Sequence, residues 1–408
     1  MNIEIITIGD ELLIGQVVDT NSAWMSKKLS EAGFDVIYIT SIKDEYNSIF
    51  NAIEEGFKRA DVLLMTGGNG PTKDDITKNT LCDYFEDKLV LDNDVLDNIK
   101  TLFKHKNLKL NELTHNQAYV PQTSTVIQNI VGTAPNLWFE KNGKVLVSMP
   151  GVPFEMRYAM EEEIIPRLSV KYEAKAFLKH TIYTYGISES ALAMQLNDFE
   201  EELPHGFALA YLPGGGIIRL RLSAKGEENT VEMDKQIDKL KRIIDTNLLI
   251  ESEDSLEVVL GTILKSKKLS ISLAESCSGG YLAHLLTTVS GASQYFKGSI
   301  VSYADSAKID LLNVSSSSID EYGAVSKQVV EEMAKGAISA LNTDCAIAIS
   351  GIAGPEGGTV EKPVGTVWIC TIYNDSIISK QYMFGNSRDN NIQRSAVMAI
   401  VQLLKMIA

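Results

Sequence analysis

A serine and a cysteine stand side by side in LAESCSGGYLAHLL, Leu273–Leu286. The apolar approach predicts a strand ending at Ala274, and the apolar residues beyond the glycines predict a helix beginning near Ser278. Ser276 then falls at a strand-to-helix turn, close to unpaired amides and the positive end of the helix dipole. Such a place suits a nucleophile, because the same amides can hold a developing oxyanion. It equally suits a plain helix cap, with Ser276 or Ser278 accepting from first-turn amides. Downstream, GASQYFKGSIVSYADSAK (Gly291–Lys308) brings Tyr303 and Lys308. A phenol and an amine can each deprotonate a serine when their own pKa is lowered. No histidine lies in a comparable position, which removes a Ser-His-Asp arrangement. Cys277 competes with Ser276 for the same role. Beyond a further strand, Asp344–Ser350, the run GIAGPEGGT places Gly351, Gly354, Gly357 and Gly358 in a loop whose amides suit a nucleotide phosphate.

A second constellation lies near the N-terminus. TGGNGPTKDDIT, Thr66–Thr77, sets Gly67, Gly68 and Gly70 beside Lys73, Asp74 and Asp75. The glycines let the backbone approach a ligand without Cβ interference, and exposed amides in such a loop cradle phosphate. Two aspartates repel a bare phosphate, but with a divalent cation between them they become ligands. The alternative is a Gly-rich turn in which Asp75 caps the next helix. GDELLIGQVVDTN, from Gly9 to Asn21, supplies a second acidic cluster with Asp10 and Glu11.

Both constellations need strands to carry them. Asn2–Ile8, Phe34–Ser41 and Asp61–Thr66 read as strands, with helices over Asn21–Ala32 and Tyr46–Arg59 between them. Alternation of this kind predicts crossover units and a mainly parallel sheet, apolar throughout because both faces are covered. Ligand loops of such sheets sit at the carboxyl ends of the strands, where both acidic clusters fall. The sheet resumes at Gly143–Met149. After Pro166 a small α+β unit is predicted, with strands Phe177–Thr184, Gly206–Leu212 and Ile217–Leu222, a turn at residues 214–216 and a closing helix Glu232–Asn247. Period-two alternation puts Arg219 and Arg221 on one face of their strand. A helix over YGAVSKQVVEEMA precedes the strand at Asp344, and Ser315–Ser318 reads as a turn or cap.

The bulk composition narrows the class. The 408 residues carry a net charge of −15 with 45% hydrophobic content, which predicts a globular chain of more than one domain with an acidic surface. Direct nucleic-acid binding is not expected of such a surface. Four separated cysteines and five scattered histidines argue against a disulfide framework and a zinc site, so any metal is expected to be a hard ion such as magnesium. No apolar run approaches a membrane span, and MNIEIITIGDE lacks a signal pattern. A cytoplasmic protein is expected.

TGGNGPTKDDIT with GDELLIGQVVDTN resembles the molybdopterin-binding-type domain at the front of CinA proteins, and Asn129–Pro135 and Met149–Pro153 extend the likeness. Where the usual pattern has a leucine-like residue and a glycine, this chain has Asn69 and Asn136. Residues 171–252 resemble the KH-like middle unit, through YGISES at Tyr185–Ser190. The loop Gly186-Ile187-Ser188-Glu189 carries an acid where a nucleic-acid-binding KH loop has its second glycine, so this unit reads as a connector or dimerisation element. AESCSGG, GASQYF, SYADSAK, YGAVS, SGIAGPEGGT and KPVGTVW resemble the CinA C-terminal domain, a nicotinamide-mononucleotide deamidase, over residues 253–408. The resemblance implies an α/β protein with a three-layer N-terminal domain over residues 1–170, and a homodimer. It makes Ser276 the nucleophile, Tyr303 and Lys308 its activators and Ser293 a supporting hydroxyl, with no cofactor. Gly279, Gly351, Gly354, Gly358, Thr359 and Arg388 are assigned to substrate, the last from GNSRDN, whose Asn386-Ser387 departs from the family spelling. For the N-terminal domain it implies metal-assisted hydrolysis of ADP-ribose. Asp10, Asp74 and Asp75 then position metal or water, and Gly67, Gly68, Gly70 and Lys73 hold phosphate. The competing expectations are an accessory binding protein of DNA uptake or recombination, and a non-catalytic pterin-binding N-terminal domain.

Overall fold

The structure, a computed structural model, describes residues 1–72, 75–105, 107–173 and 175–408. It divides into two compact units, Met1–Leu178 with Lys225–Thr230, and Lys179–Ala224 with Val231–Ala408. Lys73 and Asp74 lie outside the described residues.

In the first unit the strands are β1 (Asn2–Ile8), β2 (Asp35–Ile42), β3 (Val62–Thr66), β4 (Leu89–Leu91), β5 (Tyr119–Pro121), β6 (Thr125–Ile127), β7 (Asn136–Lys141) and β8 (Lys144–Met149). Among the described residues they form a six-stranded sheet in the order β2-β1-β3-β8-β7-β6 and a small β4-β5 pair. β2, β1, β3 and β8 run parallel, while β7 and β6 add an antiparallel edge. Each central strand is apolar on both faces. Ile3, Ile5, Val62, Leu64, Val145 and Val147 join one buried cluster, whereas Ile6, Ile8, Leu63, Met65 and Leu146 join the other. This period-two division creates the three layers. The helix Tyr46–Arg59 covers the second face with Ile49, Ile53 and Gly56, spaced four and three residues apart. The helix Thr20–Glu31 covers the first with Met25 and Leu29, its start fixed by Asp19 accepting from the Ser22 amide.

The second unit contains β9 (Phe177–Tyr185), which begins in the first unit, with β10 (Phe207–Gly214), β11 (Ile217–Lys225) and β12 (Leu248–Glu251), in the order β10-β11-β9-β12. Arg219 and Arg221 do alternate with buried Leu220 and Leu222. Ser188 begins the helix Glu189–Glu201 by accepting from the Ala191 amide. Tyr183 and Ile217 pack in the same buried cluster as Leu260, Ile271 and Leu404, whereas Leu192, Leu196, Phe199, Leu220, Leu222 and Leu240 are buried without belonging to it.

β13 (Ile271–Glu275), β14 (Phe296–Val301), β15 (Cys345–Gly351), β16 (Thr366–Tyr373) and β17 (Ser376–Met383) build the last sheet, ordered β14-β13-β15-β16-β17. The first three are parallel, and β16 and β17 return antiparallel. Ile271, Leu273, Ile347 and Ile349 face the helices Leu256–Ser266, Tyr281–Thr288 and Arg388–Ile407. The other face is built of small residues, Ala274, Ala346 and Ala348, which let the helix Lys327–Leu341 lie close. Among the described residues no helix is long and apolar enough to cross a membrane.

Candidate functional sites

At the carboxyl end of β13 the chain turns through residues 276–280 before the helix Tyr281–Thr288. The helix therefore starts later than Ser278, and neither Ser276 nor Ser278 caps it. A residue that sequence reasoning passed over does this work. Glu275, wholly buried at the strand's end, accepts from the Gly280 and Leu282 amides and the Ser278 hydroxyl through Oε2. Its Oε1 accepts from the Ala283 amide and the Ser299 hydroxyl. One carboxylate thus satisfies the first-turn amides that a cap residue would ordinarily take. The Ser276 amide is also committed, to Ile349 O at 2.9 Å. The stock of free amides expected around Ser276 is smaller than the sequence suggested.

Next to this turn β14 ends, with the Ser302 amide donating to Glu275 O. Tyr303 follows, more than half exposed, and the helix Asp305–Leu312 begins. Lys308 points inward and is 1% exposed. Its Nζ donates to Tyr303 O at 3.3 Å and Asp305 Oδ1 at 3.1 Å. Among the described residues no hydrogen bond joins Lys308 to Ser276. From the other side comes Arg388, the first residue of the helix Arg388–Ile407. Its Nη1 donates to Gly354 O (2.8 Å) and its Nη2 to the Tyr303 hydroxyl (3.0 Å). A cation at a helix N-terminus opposes the dipole, so this arginine is held by its partners rather than by the helix. Asn391, one turn on and buried, ties the helix to Ala353 O and Gly385 O. The Cys277 thiol lies within the field of both Lys308 and Arg388, yet burial dominates and pushes it up to about 12.

The structure thus gathers Ser276, Cys277, Tyr303, Lys308, Arg388 and Gly354 at one sheet edge. It does not bring Ser293 there. That residue precedes β14, beside the opening of β13, and β14 runs parallel to β13. Ser293 is therefore at the opposite end of the sheet, and its assignment as a supporting hydroxyl is corrected. Gly279 has a positive φ and open space where a side chain would be. Gly351 and Thr359 serve the fold. A side chain at Gly351 would strike Val367 and Thr366 O, and the Thr359 hydroxyl accepts from the Lys362 amide in a turn. Gly358 lies in the same exposed segment as Thr359.

In the first unit the ends of β1, β3 and β8 enclose a cavity of about 480 Å³. Asp10, Glu11, Asp44, Asp75 and Glu155 line it, with Gly67, Gly68, Gly70 and Gln117. Asp44, Glu155 and Gln117 escaped the sequence reading because they come from distant segments. The free-amide reading of the loop needs correction at two glycines. The Gly67 amide donates to Met149 O, and the Gly70 amide to Asp75 Oδ1 at 2.7 Å. Asp75 Oδ2 takes the amide and hydroxyl of Thr72. Asp75 therefore folds the loop onto itself and does not cap the next helix, whose N-cap position is Ile76. Gly67 is required by close packing: with φ at +112°, any Cβ would lie 2.1 Å from Ile8 O. Asn69, a departure from the usual pattern, fastens the loop to β8 through Ser148 Oγ and Met149 O.

Fold and sites together define an α/β protein with a molybdopterin-binding-type front domain, a KH-like unit and a C-terminal α/β domain. Residues 4–170 match the family described as "Probable molybdopterin binding domain", residues 179–249 the "Damage-inducible protein CinA KH domain", and residues 253–407 the "CinA C-terminal domain". A CinA-like protein of Flavobacterium psychrophilum is 43% identical over 412 residues, covering 100% of this chain and 99% of its own. One from Cytophaga hutchinsonii is 40% identical, covering 98% and 97%. Among solved structures, a competence-damaged protein (CinA) superfamily protein of Escherichia coli is 32% identical, covers 39% of this chain and 95% of its own, and has a TM-score of 0.37. The chain belongs to the CinA family.

Proposed function

We propose that the C-terminal unit hydrolyses nicotinamide mononucleotide to nicotinate mononucleotide and ammonia, and that the N-terminal unit hydrolyses ADP-ribose to AMP and ribose 5-phosphate. The observation that carries the first reading is the convergence of Ser276, Tyr303, Lys308 and Arg388 at one strand edge. Ser276 Oγ attacks the carboxamide carbon as its proton passes to Lys308 Nζ, a buried group that accepts it as the free amine. The Ser278 amide, which donates to no acceptor among the described residues, serves the developing oxyanion. Lys308 returns the proton to the leaving nitrogen, ammonia departs, and water releases the acid from the acyl-serine. Tyr303, held by Arg388, orients the nicotinamide side of the substrate, and Arg388 supplies charge toward its phosphate.

The N-terminal reading implies a divalent cation. Among the described residues no three acidic side chains gather as a ligand group, but the cavity offers oxygen donors only from its charged residues. Magnesium fits such a wall, because it binds through one or two carboxylates with water and substrate phosphate completing its shell. Asp10 is suited to hold it, since its carboxylate makes no hydrogen bond among the described residues, and Asp74 is the second donor that the sequence supplies. When bound, the ion would neutralise the pyrophosphate and acidify a water. Asp75 keeps the loop in shape around it.

Assay of the full-length protein with both substrates tests the proposal. Ammonia from nicotinamide mononucleotide and AMP from ADP-ribose are expected, the latter only with added magnesium. Failure to release ammonia sinks the first reading, and failure to release AMP with metal present sinks the second.

A further inference from the structure

The acidic cavity has a neighbour. A second hollow of about 340 Å³ shares Gly70, Pro71, Asp75 and Gln117 with it, so the two flank the same loop. Their chemistry differs, although Asp75 borders both. The first is lined by five carboxylates and, among its described residues, by no lysine or arginine. The second holds Lys78, from the helix Thr77–Tyr84, together with Asn79, Leu113, Asn116 and Tyr119. Lys78 Nζ donates to Asn116 O at 3.1 Å. Among the described residues no carboxylate pairs with it. An ammonium group has three donors, so two stay uncommitted. Burial without an anion penalises the charged form, and the amine is pulled down to about 8. An incoming phosphate would relieve that penalty. Beside it, Leu113 is half exposed, and the Tyr119 ring lies 6.2 Å from that of His115. Together they offer an apolar and aromatic face to a base.

We propose that this second hollow receives the nucleoside-monophosphate half of the pyrophosphate substrate, with Lys78 holding its phosphate and Tyr119 and Leu113 its base. The acidic cavity then takes the sugar-phosphate half, with Gly70, Pro71 and Asp75, which line both hollows, beside the bond between them. The inference rests on the pyrophosphatase reading of the N-terminal unit and assigns the two ends of its substrate.

Titration calorimetry of the full-length protein with AMP, and separately with ribose 5-phosphate, tests it without turnover. The wild type is expected to bind both. Lys78→Gln should weaken AMP about 10- to 100-fold, the loss of one charge-assisted hydrogen bond. It should leave ribose 5-phosphate binding and the thermal unfolding midpoint unchanged, and Lys78→Arg should retain most AMP affinity. An unchanged AMP affinity in Lys78→Gln overturns the proposal. So does equal weakening of both ligands, or a wild type that does not bind AMP. If AMP binds through Lys78 while ADP-ribose survives intact with magnesium, the subsite stands and the pyrophosphatase reading falls.

Discussion

The two units place their candidate chemistry alike, at the carboxyl ends of parallel strands, and equip it in opposite ways. The N-terminal cavity presents carboxylates, so an anionic substrate there requires a cation from outside. The C-terminal cluster carries its own cations, Lys308 sealed beneath the turn and Arg388 across it. A shared strand-end geometry therefore decides where chemistry occurs but not its kind. The charge carried by a few loop and helix-start residues decides that.

The largest expected effect falls on the self-sufficient site. Ser276→Ala should reduce deamidation by about 10⁴-fold or more, the usual scale for a lost nucleophile, while ADP-ribose hydrolysis continues. Ammonia release from this variant at near wild-type rate would refute the assignment. Excess chelator draws the contrast from the other side. It should abolish AMP formation, restored by magnesium, with deamidation unchanged, and equal loss of both activities would erase the distinction. Asp75→Asn should likewise cost AMP formation alone, because an amide cannot accept from Gly70 and Thr72 with both ends. Lys308→Ala should cost deamidation at least about 10²-fold, the lower range for general-base loss. A rate within a few-fold of wild type would show that Lys308 only fills space.

The smallest effect concerns Cys277. Its thiol, held up to about 12, stays protonated across the working range, and the protonated form is a poor nucleophile. Cys277→Ala should retain deamidation within a few-fold. Iodoacetamide labelling of Cys277 in the folded protein should stay slow from about pH 7 to 10, without the rise near 8.5 of an ordinary cysteine. Mass spectrometry of the labelled peptide reads this directly. A dead Cys277→Ala variant with an active Ser276→Ala would exchange the two roles.

Much of the fold was legible because its strands are short apolar runs closed by glycine. Asn2–Ile8 and Tyr46–Arg59 were read with the bounds they have. Ser276, Tyr303 and Lys308 were legible because each sits just beyond a strand or within the next helix turn, where proximity follows from parallel pairing. Ser293 misled for the complementary reason. It is nearer to Tyr303 in sequence than Gly354 is, yet a six-residue strand, about 20 Å long, separates the two ends of the sheet. Arg388 meets Tyr303 across 85 residues, a pairing that spacing cannot show. Glu275 was missed because an acid ending an apolar strand reads as the first solvent-facing residue. Its burial becomes apparent only when the five donors around it are placed together.

That carboxylate has a consequence for exchange with solvent. Amides in the first turn of a helix ordinarily trade their protons for deuterium quickly, because they lack acceptors within the helix. Here the amides of Gly280, Leu282 and Ala283 point at an acceptor with no exposure to water. They should exchange as slowly as the centre of β13, so that the turn bearing Ser276 opens only when the sheet beneath it does. The turn would then be among the last parts of the unit to take up deuterium, although it lies at the surface end of a strand.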